Sequence, residues 1–277
     1  MKKVRLDVLL VEKGLVETRE KAKRAIMAGL VFHKSERLDK PGLKVDEDIL
    51  LEVKGKPIPY VSRGGLKLEK AIGVFNLSLK DEIVLDIGSS TGGFTDCALQ
   101  NGAKLSYAVD VGYNQLDWKI RNDPRVIVME RTNFRYLEEE ALTHETPTFA
   151  SIDVSFISLR LIFPTLAKLI ADGGQVVALV KPQFEAGREQ VGKKGIVRDP
   201  DIHREVIENV IRMAISNHFS VKGLTYSPIT GGDGNIEFLL HLSFHSEKEG
   251  NIESNVEIEH VVRKAHNELS NKGKGLS

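Results

Sequence analysis

The sequence predicts an α/β fold: a parallel sheet with helices on both faces, preceded by a small α+β module. Three observations carry this. From residue 81 to about 215, short and nearly continuous apolar runs alternate with stretches of helical periodicity. The first of these runs ends in a glycine-rich turn that opens a helix. The first 60 residues follow another rhythm, two short amphipathic helices and then short β-like segments, and they are basic. No internal repeat is visible.

Composition bounds the rest. With 277 residues, 41% hydrophobic and 28% charged, the chain can bury a core in one or two domains. A single cysteine, Cys97, excludes an internal disulfide framework and a zinc site built on several thiolates, and predicts a reducing compartment, the cytoplasm. Asp7 and Glu12 interrupt the apolar start, which makes a poor signal peptide. Runs such as Val176–Val180 fall far below the roughly 20 residues of a membrane helix. Lys+Arg and Asp+Glu both number 39, yet residues 1–44 carry 12 of the former and 6 of the latter, net +6. A basic front on an acidic body points to a polyanionic partner, although a solvated helix face reads the same way.

In order along the chain, Leu6, Leu9 and Leu10 share helical spacing, and Gly14 stops that helix. Thr18 is an N-cap for a second helix, Arg19–Ala28, whose Ala22, Ala25 and Ile26 face a core. Strands are expected at Leu30–His33 and Ile49–Val53. Cations on the second helix suit docking on RNA through phosphates, without sequence readout. The segment RLDVLLVEKGLVETREKAKRAIMAGLV resembles the S-four RNA-binding domain over about residues 5–53. That resemblance implies structured RNA as partner and Arg5, Arg19, Lys21, Lys23 and Arg24 as contacts. Lys34-Ser35 replaces the usual Asn-Gly turn. The expected organisation is a module at 1–55, a proline-bearing linker at 56–62, a body at 63–246 and a C-terminal helix and tail at 247–277.

The body reads as strands at 81–87, 106–110, 126–129, 148–153 and 175–180. Helices are expected around Ile162–Ile170 and at Ile202–Ile215. Ser220–Tyr226 and Glu237–His245 predict a closing antiparallel hairpin. Ile258, Val261, Val262, Ala265 and Leu269 mark an amphipathic last helix.

The chemistry starts at Asp86-Ile-Gly88-Ser-Ser-Thr-Gly92-Gly93. Asp110 ends the next strand, 22 residues after Gly88, where a carboxylate can hold ribose hydroxyls. The spacing is neither a dinucleotide nor a Walker fingerprint, and a purely structural turn remains an alternative. Asp153 and Lys181 each end a strand, at the sheet edge where doubly wound folds bind ligands. A lysine directly after a buried strand suits a general base; the plainer reading is an ion pair with Asp153 or Glu185.

The motifs DIGSSTGGFTD, SIDVSF and LVKPQFE resemble FtsJ-type RNA ribose methyltransferases, and with the front module the chain is similar to the TlyA family over about residues 4–245. The resemblance implies a Rossmann-like methyltransferase fold, S-adenosylmethionine as cofactor, and 2′-O-methylation of cytidine in ribosomal RNA. It also implies a catalytic tetrad of Lys67, Asp153, Lys181 and Glu237. Cofactor contacts are then expected from Asp86, Gly88, Ser89, Ser90, Thr91, Gly92, Gly93, Phe94, Asp110, Asn133 and Asp153. No metal is expected, since the histidines lack ligand spacing.

Other features carry less. Arg63 lies in a glycine-rich entry to the Lys67 helix and is a further RNA contact. Gly187–Pro200 reads as a mobile loop over the site, Gly231–Asn235 as a turn placing Glu237, and residues 271–277 as a frayed end. Two other function classes stay open: a non-catalytic RNA-binding factor in ribosome assembly, and a membrane-active haemolysin-like protein, which the absent spans oppose.

Overall fold

A computed structural model describes residues 3–27, 29–34, 36–54, 58–192, 194–231 and 234–269. The chain divides into two compact units, meeting in sequence between Gly64 and Gly65.

In the front unit, β1 (Lys3–Arg5) leads into α1 (Leu6–Glu12), and α2 (Arg19–Met27) follows. Thr18 Oγ1 accepts from the Lys21 amide at 3.2 Å, so Thr18 caps α2 as its residue type suggests. Ala28 lies outside the described residues. Then come β2 (Val31–His33), β3 (Glu36–Arg37), β4 (Lys44–Asp46) and β5 (Glu52–Val53). Strand β2 pairs antiparallel with both β3 and β5, and β1 pairs with β4. The second expected strand is shorter than its apolar run, and β1, β3 and β4 are too short and polar to announce themselves. Between β2 and β3 Lys34 takes a φ of +55°, the left-handed conformation usually given to Asn or Gly. Leu6, Leu9, Leu10, Ala22, Ile26 and Val31 form the core of this unit.

The second unit is the doubly wound sheet. Helix α3 (Gly64–Phe75) precedes β6 (Ile83–Ile87), α4 (Gly93–Gln100) and β7 (Leu105–Val109). Next come α5 (Trp118–Arg121), β8 (Val126–Met129), β9 (Phe149–Ile152) and α6 (Phe163–Leu169). The unit ends with β10 (Gln175–Val180), α7 (Pro182–Glu185), α8 (Pro200–Ile215), β11 (Phe219–Tyr226), β12 (Phe238–Phe244) and α9 (Ile258–Leu269). The strand order is β11-β12-β10-β9-β6-β7-β8. Five strands pair in parallel, and β11 runs in the same direction as they do. The closing hairpin folds back, so that β12 inserts between β10 and β11, antiparallel to both.

That insertion matters for the site. Parallel strands present their carboxyl ends at one edge, and β12, running the other way, brings its beginning to the same edge. The register places Val180 opposite Phe238, so Lys181, just after the one, and Glu237, just before the other, lie at the same end of the paired strands. Helix α3 is anchored by Phe75, whose ring stacks on His241 at 5.3 Å and covers Gly223, where a β-carbon would lie 2.7 Å from that ring. The C-terminal helix α9 buries Val262, Ala265 and Leu269 against the body, in contact with α8 and β11. The expected tail at 271–277 lies outside the described residues. No described helix is long and apolar enough to cross a membrane.

Candidate active site

The turn after β6 is built by backbone geometry. Gly88 has a φ of +84°, and its amide and that of Ser89 donate to the Val109 carbonyl at 2.9 and 3.1 Å. The Ser90 amide donates to Asp110 Oδ2 at 2.8 Å, while Asp110 Oδ1 accepts from the Gly112 amide at 2.7 Å. Gly92, at φ +94°, is the N-cap of α4 and packs against Leu116 and Ile120. Beside this turn lies a cavity of about 380 Å³. Gly88, Ser90, Asp110, Asn133 and Asp153, all among the expected cofactor contacts, line it, and so do Gln115, Thr132, Ser155 and Phe156, which the sequence did not single out.

The other expected cofactor contacts sit behind that wall. Asp86 is fully buried; it accepts from the Thr95 amide at 3.0 Å, Thr95 Oγ1 at 2.6 Å and Ser151 Oγ at 2.9 Å. It clamps β6, α4 and β9 together, and burial pushes its carboxyl up to about 6 against the pull of those hydrogen bonds. Asp86 is therefore corrected from a cofactor contact to a structural carboxylate. Ser89, Thr91, Gly92, Gly93 and Phe94 shape the turn and the start of α4 without lining the cavity.

Four ionisable side chains converge at the edge of the sheet. Lys181 Nζ lies 2.6 Å from Asp153 Oδ1 and donates to Ser155 Oγ at 2.9 Å. Lys67 Nζ lies 2.8 Å from Glu237 Oε2 and 3.5 Å from Asp153 Oδ2. Asp153 thus bridges the two lysines, and Lys67, Lys181 and Glu237 are at most 8% exposed. Burial alone would lower the Lys67 pKa, but Asp153 and Glu237 outweigh it and hold the ammonium above its ordinary value. Burial likewise opposes ionisation of Asp153, and the two lysines override it, holding its carboxyl below the usual range. Gly231 gives Glu237 its room, because a β-carbon there would stand 2.1 Å from Oε1; residues 232 and 233 of that turn lie outside the described residues.

Glu185, the alternative partner of Lys181, points elsewhere. It accepts from Ser158 Oγ at 2.7 Å and the Leu159 amide at 2.8 Å. This ties α7 to the loop after β9. On that loop Phe156 is 91% exposed with a φ of +63°, and its ring lies 4.9 Å from that of Phe184. In the segment expected as a mobile loop, Asn235 Oδ1 accepts from the Val197 amide at 3.0 Å, and Asn235 Nδ2 donates to the Gly195 carbonyl at 2.9 Å. Lys193 lies outside the described residues.

In the front unit Asp7 is fully buried and pairs with Arg5 at 2.9 Å and Arg19 at 3.0 Å. Both guanidiniums stay about half exposed. The Arg5 hydrogen bond, with help from Arg19, keeps the Asp7 carboxyl below its ordinary range despite burial. Lys21 pairs with Glu17 and Lys23 with Glu20 at the surface, where such pairs are weak and open to exchange for phosphate. Arg24 is exposed and Arg63, just before α3, half-buried. Among the described residues no cluster of His, Cys, Asp or Glu has metal-holding geometry.

The chain is similar to known proteins. The profile of the FtsJ-like methyltransferases matches residues 60–244, and that of the S4 domain residues 4–48. YqxC of Bacillus subtilis is 65% identical, over 98% of this chain and 97% of its own. The Mycobacterium tuberculosis protein named 16S/23S rRNA (cytidine-2′-O)-methyltransferase TlyA is 39% identical, over 89% and 92%. A solved structure from Streptococcus thermophilus is 59% identical and covers 99% of each chain with a TM-score of 0.80.

Proposed function

The chain belongs to the FtsJ-like methyltransferase family, with an S4 domain at its front, and on that premise we propose that it methylates the 2′-hydroxyl of cytidine in ribosomal RNA. The observation that carries the reading is the meeting of Lys67, Asp153, Lys181 and Glu237 beside the cavity of Gly88 and Asp110. The methyl donor is S-adenosylmethionine. Its fit is supported by Gly88, which lines the cavity and whose missing side chain lets the Asp153 main chain close against the turn, and by Asp110, which the Ser90 and Gly112 amides aim at the cavity as a hydroxyl acceptor. When bound, the sulfonium supplies an activated methyl group, so the protein has to orient the hydroxyl and remove its proton.

Each residue then has a task. Lys181 is the group that takes the proton of the 2′-hydroxyl. Lys67, held as a cation by two carboxylates, steadies the negative charge that develops on the oxygen. Asp153 stays ionised and orients both lysines, and Glu237 fixes Lys67 from the far side. Phe156, whose ring packs on Phe184, offers an aromatic face at the cavity on which the base of the target nucleotide stacks. The front unit binds RNA through Arg5 and Arg19, fixed by Asp7, with Lys21, Lys23 and Arg24 adding phosphate contacts on α2 and Arg63 another before α3. The substrate is ribosomal RNA within ribosomal subunits, in the cytoplasm and without stable membrane association.

The test is transfer of labelled methyl from S-adenosylmethionine to ribosomal subunits lacking the modification, with ribose methylation mapped at nucleotide resolution. The reading expects label on a cytidine ribose, and none with Lys181→Ala. Tight RNA binding with no transfer by the wild-type chain would favour the assembly-factor reading instead.

A further inference from the structure

Ser155 is an exposed residue whose hydroxyl turns inward to a buried lysine. It lies two positions after Asp153, lines the same cavity, and accepts from Lys181 Nζ at 2.9 Å. Asp153 Oδ1 is the other partner of that nitrogen, at 2.6 Å. A lysine nitrogen has four tetrahedral directions, one of which is its bond to Cε. Asp153 and Ser155 occupy two more. One direction remains, and the residues bearing both partners line the cavity beside Gly88.

We infer that Ser155 is a positioning residue for proton removal: with Asp153 it holds both N–H bonds of the neutral Lys181 amine, so that the lone pair points along the one free direction. The inference rests on Lys181 being the base. In the step it serves, the 2′-hydroxyl proton passes to the Lys181 lone pair, and an oxygen electron pair forms the new O–CH₃ bond. The electrons of the broken C–S bond stay on sulfur, which leaves as a neutral thioether. With Ser155 lost, one N–H is unheld and the lone pair turns about the Cε–Nζ bond. The proper orientation is then only one of several.

The loop is built to keep the hydroxyl in place. Glu185 anchors it three and four residues further on through Ser158 Oγ and the Leu159 amide. Between them Phe156 holds a left-handed backbone conformation. Such a conformation persists only where its surroundings enforce it. Ser155 thus stands on a loop tied by hydrogen bonds to α7 although its surface is solvated.

Steady-state kinetics of the full chain on ribosomal subunits test this with Ser155→Ala, Ser155→Thr and Lys181→Ala. Ser155→Ala is expected to lower kcat about tenfold, the effect of one oriented hydrogen bond, while KM for RNA and the Kd for S-adenosylmethionine change less than about twofold. Ser155→Thr, which keeps the hydroxyl, should stay within about threefold of wild type. The inference is overturned if Ser155→Ala retains full kcat, if its loss lies in KM or cofactor affinity, or if threonine fails to rescue it. Should Lys181→Ala turn over normally, the base assignment itself falls, whatever Ser155 does.

Discussion

The main-chain oxygen of Asp153 stands where a side chain on Gly88 would begin: a β-carbon there would be 2.6 Å away. Turn and tetrad are therefore one construction, since the residue that bridges both lysines also closes over the glycine of the turn after β6. At φ +84° any other residue is strained as well. Gly88→Ala is expected to weaken S-adenosylmethionine binding at least tenfold by calorimetry and to cost about 1–3 kcal/mol of stability. An alanine variant that binds cofactor normally would show that the turn does not cradle it.

Lys181 and Lys67 should fail differently. Lys181→Ala removes the proton acceptor, and Lys181→Arg does not restore it, because a guanidinium remains protonated. Both are expected to lower kcat by about 10²–10⁴ with cofactor affinity retained. Lys67→Met leaves Glu237 and Asp153 without a shared cation, so lost stability should accompany lost turnover, read by denaturant titration beside the assay.

Phe156 sets function against stability. Its ring is exposed and its backbone left-handed, so Phe156→Gly relieves strain and gives up little buried surface. Stability should rise by about 1 kcal/mol. The RNA KM should rise several-fold, since the stacking face at the cavity is gone. A glycine variant that is less stable, or that leaves RNA affinity intact, contradicts this account.

The front unit can be read by salt. Arg19 is held by Asp7 with its guanidinium half exposed, ready for a phosphate. Arg19→Ala should weaken RNA binding at low salt and flatten the plot of log affinity against log salt by roughly 0.7–0.9. Asp7→Ala should flatten it too, although residue 7 is buried and touches no RNA, because Arg5 and Arg19 lose their common anchor. An unchanged slope in both variants would take RNA binding away from this face.

Acid should loosen the second unit through its histidines. His203 Nδ1 is 2.9 Å from His266 Nε2, and burial first, then His266, lowers His203 to about 4; burial likewise lowers His241 to about 4. The unfolded chain binds these protons near pH 6.5 and the folded chain does not. Their contribution is whole above about 6.5 and fades as pH falls toward 4. Asp86, raised to about 6, acts in the opposite sense over the same interval. His203→Gln should therefore reduce the loss of unfolding free energy between pH 6.5 and 4 by about 2–3 kcal/mol. Parallel curves for variant and wild type would contradict that.

Much of this was legible without coordinates. Apolar runs bounded by turn residues locate the sheet strands within one or two residues, because burial on both faces demands continuous hydrophobicity. Thr18 and Gly14 mark helix limits through local hydrogen bonding and backbone freedom, which need no tertiary partner. Asp110, Asp153 and Lys181 could be placed at one edge because parallel strands end there.

Only the tertiary structure decided the rest. Glu237 reaches the end of the sheet where Lys181 stands because β12 slots antiparallel between β10 and β11, and periodicity near residue 237 does not encode that pairing across more than fifty residues. Asp86 and Asp110 both sit near strand ends, and side-chain direction alone makes one a buried clamp and the other a cavity wall. The same holds for Ser155 and Phe156, whose meaning depends on Lys181 and Phe184 arriving from another strand end. Periodicity and turn chemistry are short-range and can be read in one dimension. Register and side-chain convergence are settled by packing between distant segments.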